Sequence, residues 1–266
     1  MKRVLALVVT ASFLACGGAS STNNGPAGPT PGGQSATPTR ATTISSFEGI
    51  EEPEVLYHPS SASFTPDPFV NITNPSAGLF RFVLRFRPAD DWWDGDRTTT
   101  NDDRQRAEVK GLGVHQKTGE TFEYATTWRT TRGGSGTFWH VFQLKATDGD
   151  SDPPLVVLSI QSGTAAAVRY WSGTATTFAV ARPLTYVVGD WTTVRIRIRT
   201  STSADGSVLA SVNGDPFTGV TGVAVYRPQA TDYRPKWGSY REVSTSHPYG
   251  DDIVEHMDIS AQRIGG

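Results

Sequence analysis

The chain has 266 residues, with 24 Lys and Arg against 26 Asp and Glu, a formal charge of −2 at pH 7. That balance supplies no global basic field, which excludes nucleic acid and an anionic bilayer as partners held by net charge. One cysteine, Cys16, excludes a disulfide framework, so the fold must rest on a packed core, which a chain of this length can build.

Lys2 and Arg3 precede an apolar run over residues 4–15, the charged and hydrophobic parts of a secretory signal. The run is shorter than the roughly 20 apolar residues that span a bilayer. Its end, Phe13-Leu14-Ala15-Cys16-Gly17, resembles a bacterial lipoprotein signal. The expectation is therefore an exported chain tethered to a membrane by a lipid on Cys16. Residues 16–43 are rich in Gly, Ser, Thr, Pro and Asn with almost nothing large to bury, and read as a flexible stalk. Residues 44–266 fit one domain. Loss of Lys2 and Arg3 with the leader makes the mature chain more acidic still.

From residue 78 the pattern has period two. Leu79-Phe80-Arg81-Phe82-Val83-Leu84-Arg85-Phe86 and Thr193-Val194-Arg195-Ile196-Arg197-Ile198-Arg199 each set apolar side chains against polar ones, as strands with one buried face do. Further strands are predicted at 104–111, 120–129, 137–146, 155–161, 168–170, 184–188, 208–212, 220–226, 237–243 and 253–264. Turn-rich pieces such as Asp205-Gly206 and Asn213-Gly214-Asp215 separate them. No segment carries a helical apolar stripe, and no repeat of solenoid or propeller length appears. The expected fold is all-β, two antiparallel sheets packed face to face, and a curved sheet would offer a concave groove to a polymer.

Three of these segments set reactive polar residues in alternation. In Arg104-Gln105-Arg106-Ala107-Glu108-Val109-Lys110 the even positions share a face and form a charged ladder. In Trp139-His140-Val141-Phe142-Gln143-Leu144-Lys145, strict alternation puts Trp139, Gln143 and Lys145 together and sends His140 inward with Phe142 and Leu144. A bulge would turn His140 outward as an alternative base. In Lys236-Trp237-Gly238-Ser239-Tyr240, Lys236 and Tyr240 flank a glycine that leaves room for something to approach the sheet.

Arg106-Ala-Glu108-Val-Lys110, Gln143-Leu-Lys145 and Lys236-Trp-Gly238-Ser-Tyr240 resemble, in order and spacing, the three strand motifs of alginate-lyase-type jelly-roll polysaccharide lyases. With Pro153-Pro154-Leu155, Gly189-Asp190-Trp191 and Arg241, the phrasing is similar to the glucuronan lyases (polysaccharide lyase family 20) and the heparinase-I-like group. Lys110 replaces an arginine of the motif, and Lys145 stands where alginate lyases have a catalytic histidine. Pro235 sets Tyr233 apart from the Lys236 strand.

The resemblance implies β-elimination on a uronic-acid polymer, glucuronan first, with alginate or a heparin-like glycosaminoglycan as alternatives. Such an enzyme removes the C5 proton beside a carboxylate that resists further negative charge, so cations and donors must meet that carboxylate. Gln143 and Arg106 are the candidates, with Arg104, Glu108, Lys110, Lys145, Lys236 and Trp139 along the groove. Tyr240 is the candidate acid and base. A free phenol has a pKa of about 10, and Lys236 and Arg241 would favour its ionised form. Trp92, beside Trp93 in an acidic loop, would form a sugar-stacking wall. His58, His115, His247 and His256 are further candidate bases, none singled out.

No cofactor is called for in catalysis. Asp148-Gly149-Asp150-Ser151-Asp152 opens like a calcium loop, but Pro153 and Ser159 occupy the positions of its glycine and glutamate, so it reads as a turn. The resemblance nominates Glu48 and Asp258 for a structural calcium. The expected partner is an acidic polysaccharide, with no nucleic acid, and a monomer. A glycoside hydrolase would need two carboxylates about 5–10 Å apart, and no strand offers such a pair. A non-catalytic carbohydrate-binding lipoprotein explains the stalk and tryptophans but does not require Gln143 and Tyr240 together in a cationic setting.

Overall fold

Alternation in Thr192–Arg199 is realised residue by residue: Val194, Ile196 and Ile198 are buried while Arg195, Arg197 and Arg199 lie on the opposite face. The computed structural model describes residues 47–51, 72–76, 79–84, 104–111, 114–149, 153–173, 175, 177–242 and 252–265, with the backbone alone at 47–51, 72–76 and 104–106. These residues belong to one compact unit, Arg40–Gly266. The segments expected to form a leader and a stalk, and Trp92, lie outside the described residues.

Fifteen strands run through them. They are β1 (Phe47–Glu51), β2 (Ile72–Ser76), β3 (Leu79–Leu84), β4 (Arg104–Gly111), β5 (Gln116–Lys117), β6 (Thr121–Thr130), β7 (Gly134–Ala146) and β8 (Val156–Gly163), then β9 (Ala165–Tyr170), β10 (Ala179–Thr185), β11 (Thr192–Arg199), β12 (Ser201–Val212), β13 (Thr218–Val225), β14 (Asp232–Glu242) and β15 (Asp252–Gly265). One sheet has the order β1-β4-β14-β7-β8-β9-β10, with β5 also on β14. The other has the order β13-β12-β11-β6-β15-β3-β2. All named pairings are antiparallel, giving the expected two-sheet jelly roll.

Aromatic residues join the sheets. The ring of Tyr124 on β6 lies 5.4 Å from that of Phe142 on β7 and 6.5 Å from Trp237 on β14. Around them Phe82, Trp128, Leu144 and Leu158 are fully buried. Truncating any one of the buried aromatics to alanine would cost about 3–5 kcal/mol. The Tyr124 hydroxyl donates to Gln116 Oε1 at 2.9 Å, so the core keeps its polar atom paired while burial pushes that phenol well above its ordinary pKa.

The core fixes which face of the first sheet is available. Trp237 and Phe142 point at Tyr124, so their neighbours Lys236, Gly238 and Gln143 lie on the outer face. Asp148 secures one end of this face. Its Oδ1 accepts from the backbone N–H groups of Thr231 and Asp232, both at 3.0 Å, and clamps the loop after β7 to the start of β14.

Candidate active site

The three polar strands are adjacent: β14 lies between β4 and β7. Their registers align Lys110, Lys236 and Gln143 in one row and Arg106, Tyr240 and His140 in another, with Glu108 opposite Gly238 between them. Lys145 pairs with Arg234, and Arg104 with Glu242, at the two ends.

Two irregularities shape this face. Against β4 the register of β14 is regular through Tyr240, but against β7 it shifts between Trp237 and Tyr240, so Gly238 and Ser239 face Val141 alone. Against β8, β7 shifts between His140 and Phe142, where Val141 is the extra residue. Such bulges re-aim the side chains that follow. Gly238 has φ +151°, and a Cβ there would stand 2.2 Å from the Ala107 carbonyl oxygen and 2.8 Å from the Glu108 Cα. Only glycine fits that close strand crossing.

The bulge corrects two expectations from strict alternation. Trp139 is not on the substrate face: it pairs with Arg241, is 2 % exposed, and donates through Nε1 to Ser239 Oγ at 2.8 Å on the core side. His140 is turned to the opposite face instead. Its ring lies 5.8 Å from that of Tyr240 and 4.9 Å from Phe138, whose own ring is 5.2 Å from Tyr240. A histidine and a tyrosine, both able to transfer protons, are thus neighbours on an aromatic bed.

Beside them is a buried polar cluster. Gln143 Nε2 donates to Glu108 Oε1 at 2.5 Å, and Lys236 Nζ lies 4.0 Å from Glu108 Oε2. All three are nearly inaccessible, at 2 %, 1 % and 3 % exposure respectively. Glu108 was expected to line the groove for substrate, but it is committed to these two side chains. A carboxylate there repels an anionic sugar and serves better to orient an amide and hold an ammonium in place.

A second tier supports β14 from inside. His256 on β15 is fully buried, edge-on to Phe82 with ring centroids 5.4 Å apart. Its Nε2 donates to the Gly238 carbonyl at 3.1 Å, which fixes the neutral tautomer with Nδ1 accepting from Thr126 Oγ1 at 2.8 Å. Burial lowers its pKa to about 4, an effect opposed by the Gly238 hydrogen bond. It holds the bulge rather than leaning into the groove. Arg241, next to Tyr240, is wholly buried and pairs with Asp252, which also accepts from Arg132 Nη2 at 2.9 Å.

The remaining expected residues fall variously. Lys110 and Lys145 are half-buried on the strands expected for them, while of Arg104 and Arg106 only backbone register is described. Tyr233 is in the core, accepting from Arg227 N and donating to Ala230 O. His115 pairs with Asp232 at 2.8 Å. Cys16, Trp92, His58 and His247 lie outside the described residues. Asp258 is exposed at a bulge of β15, whereas Glu48 belongs to edge strand β1 of the other sheet. Among the described residues no group of three His, Cys, Asp or Glu is placed to hold a metal.

Sequence reasoning missed part of the site. Arg169 and Trp171 of the β9 region alternate with core-facing Val168 and Tyr170. Phe178 lies 5.5 Å from Trp171 and 6.4 Å from His140, and the Arg227 guanidinium stacks over Trp171 at 4.4 Å. This wall extends the site towards β10, and the alternation that encodes it was visible in the chain.

With this geometry in view, the match of residues 46–257 to the family described as polysaccharide lyase is decisive. The chain belongs to the polysaccharide lyase family. Solved structures agree with this lyase in fold. An endo-β-1,4-glucuronan lyase from the fungus Trichoderma reesei superposes with a TM-score of 0.61 at 14 % identity, over 85 % of this chain and 94 % of that one. Alginate lyase A1-II′ of polysaccharide lyase family 7 gives 0.53 at 18 % identity, over 76 % and 86 %. The same alginate lyase carrying one histidine and one tyrosine substitution, in complex with substrate, gives 0.51 at 18 %, over 74 % and 83 %. No curated protein matches the lyase.

Proposed function

We propose that this lyase cleaves a uronic-acid polysaccharide, glucuronan first among candidates, by β-elimination on the outer face of β4, β14 and β7. The observation that carries the reading is the pairing of His140 with Tyr240 at the Gly238 bulge, next to the Gln143–Glu108–Lys236 cluster. The uronate carboxylate is met by the Gln143 amide and by Arg106, whose register places it across from Tyr240. Neutralising that carboxylate makes the C5 proton removable. His140 takes the proton, the C5–H electron pair becomes the C4–C5 double bond, the C4–O4 bond breaks, and Tyr240 protonates the departing O4. With the imidazole as base, the phenol need not be ionised beforehand. In the alternative, Tyr240 performs both transfers and His140 packs beneath it.

Glucuronan is favoured because the superposition with a glucuronan lyase extends over more of both chains than that with A1-II′, and because Lys145 occupies the place of the alginate-type histidine. Incubation with glucuronan, alginate, heparin and hyaluronan, followed by near-ultraviolet absorbance of the unsaturated product, tests the assignment. Absorbance growth on glucuronan is expected. A flat trace on every uronan with binding retained would leave a carbohydrate-binding protein in its place.

We also propose export and lipid attachment at Cys16, supported by the leader and stalk. Labelled fatty acid should enter the wild type and not Cys16→Ala.

A further inference from the structure

The second sheet carries a polar cavity of its own. Arg81 on β3, Glu255 on β15 and Arg129 on β6 form a row across three strands on the face turned away from the core. Arg81 donates to Glu255 Oε1 through Nε, with Nη2 also at 2.6 Å, and Arg129 donates to Oε2 through Nε. Glu255 is 4 % exposed. Burial works to raise its pKa, but hydrogen bonds from Arg129 and Arg81 outweigh that and keep it ionised. Two guanidiniums around one carboxylate leave the row with a net positive charge.

Three features go beyond what a stabilising ion triad requires. A cavity of about 370 Å³ opens at the row, lined also by Thr130, Thr131, Gly189 and Ile253. Neither Nη of Arg129, nor Nη1 of Arg81, donates to another described residue, although both side chains are more than a third exposed. Half-buried Trp191 stacks against the Arg129 guanidinium at 4.4 Å, which fixes the plane of those donors and adds an aromatic wall. Planar N–H donors beside an aromatic surface fit a ligand that combines a carboxylate with a sugar ring.

We propose that the Arg81–Glu255–Arg129 cleft, walled by Trp191, is a second, non-catalytic binding site for one uronate unit of the polysaccharide. This rests on the uronan reading above. The carboxylate of the bound unit takes the Nη donors, Ile253 and Trp191 cover the ring, and Glu255 holds both arginines in place. Because the site is on the sheet opposite the candidate active face, it retains the polymer without blocking turnover.

The test uses the full chain. In a Tyr240→Phe background, which suppresses degradation, mobility in native gels containing glucuronan or alginate reports polymer binding. Arg129→Ala removes the donors, and Thr131→Glu places a negative charge at the exposed rim without disturbing the buried row. Each should weaken retardation by about tenfold in apparent affinity. With Tyr240 restored, kcat on short uronate oligosaccharides should stay unchanged. Wild-type retardation in both folded variants would overturn the proposal, whereas product formation in the uronan panel tests the lyase reading separately.

Discussion

His256 donates across the core of the sandwich to the carbonyl oxygen of Gly238, 3.1 Å away, tying the last strand of one sheet to the bulge that sets Tyr240 in the other. The imidazole must be neutral at Nδ1 to accept from Thr126. Its pKa is about 4 in the fold, lowered by burial, against an ordinary 6.5. The unfolded chain therefore binds the proton first, so stability is complete above pH 6.5 and falls as the pH drops towards 4, by a few kcal/mol. Urea unfolding between pH 7 and 4 should show this slope, and His256→Gln, which can still donate and accept, should flatten it. His256→Leu should lower kcat with KM little changed, and Gln should restore most of it. An unchanged kcat in folded His256→Leu would remove the positioning role.

Proton transfer divided between two rings predicts different losses. Tyr240→Phe should reduce kcat by on the order of 10²–10⁴-fold with polymer binding retained. His140→Gln should cause a loss of similar size and abolish the acid limb of the kcat profile. If His140→Gln keeps that limb, Tyr240 is carrying both steps, and steady-state rates across pH decide it.

Gly238→Ala places a methyl against the backbone of Ala107 and Glu108 at a φ that disfavours any side chain. Destabilisation of about 2 kcal/mol or more is expected, with activity lost even where thermal unfolding shows an intact fold. Gly119→Ala is a useful comparison: that glycine also has positive φ, but a Cβ there meets nothing within 4 Å, so the cost should be smaller and activity kept.

Asp252→Asn removes the counter-charge of Arg241 where both side chains are wholly buried. Breaking such a pair costs about 3–5 kcal/mol. Arg132, partly exposed, can relax into water, whereas Arg241 cannot. Chemical denaturation should show the loss, and replacing Arg241 and Asp252 together by Met and Leu should recover part of it.

Much of this was legible in the chain because period two is a strong signal where a strand is long and one-sided. β4 begins and ends where alternation predicts, and Lys236, Glu108, Gln143 and Tyr240 share a face as expected. β1, β2 and β5 escaped because they are short, and Gly49 or Pro75 interrupts the first two. Trp139 and His140 were assigned to the wrong faces because alternation assumes an unbroken ladder, and Val141 breaks it. Gly238-Ser239 on the neighbouring strand was the visible trace of that break, read as room for a ligand and not as a bulge. The role of His256 was also encoded, since it alternates in step with Val254 on the core side of β15.

The order of strands across the first sheet also has a temporal consequence. β4 comes early among the described strands and β14 late, yet they are side by side, and the bulge of β14 is held by β15, the last of the described strands. A growing or refolding chain therefore has Arg106 and Glu108 long before it has anything to place opposite them. Pairing of such distant segments is slow compared with local structure. Recovery of activity on refolding should accordingly lag the return of β-sheet signal, making catalysis a late reporter that the C-terminal strands have joined the domain.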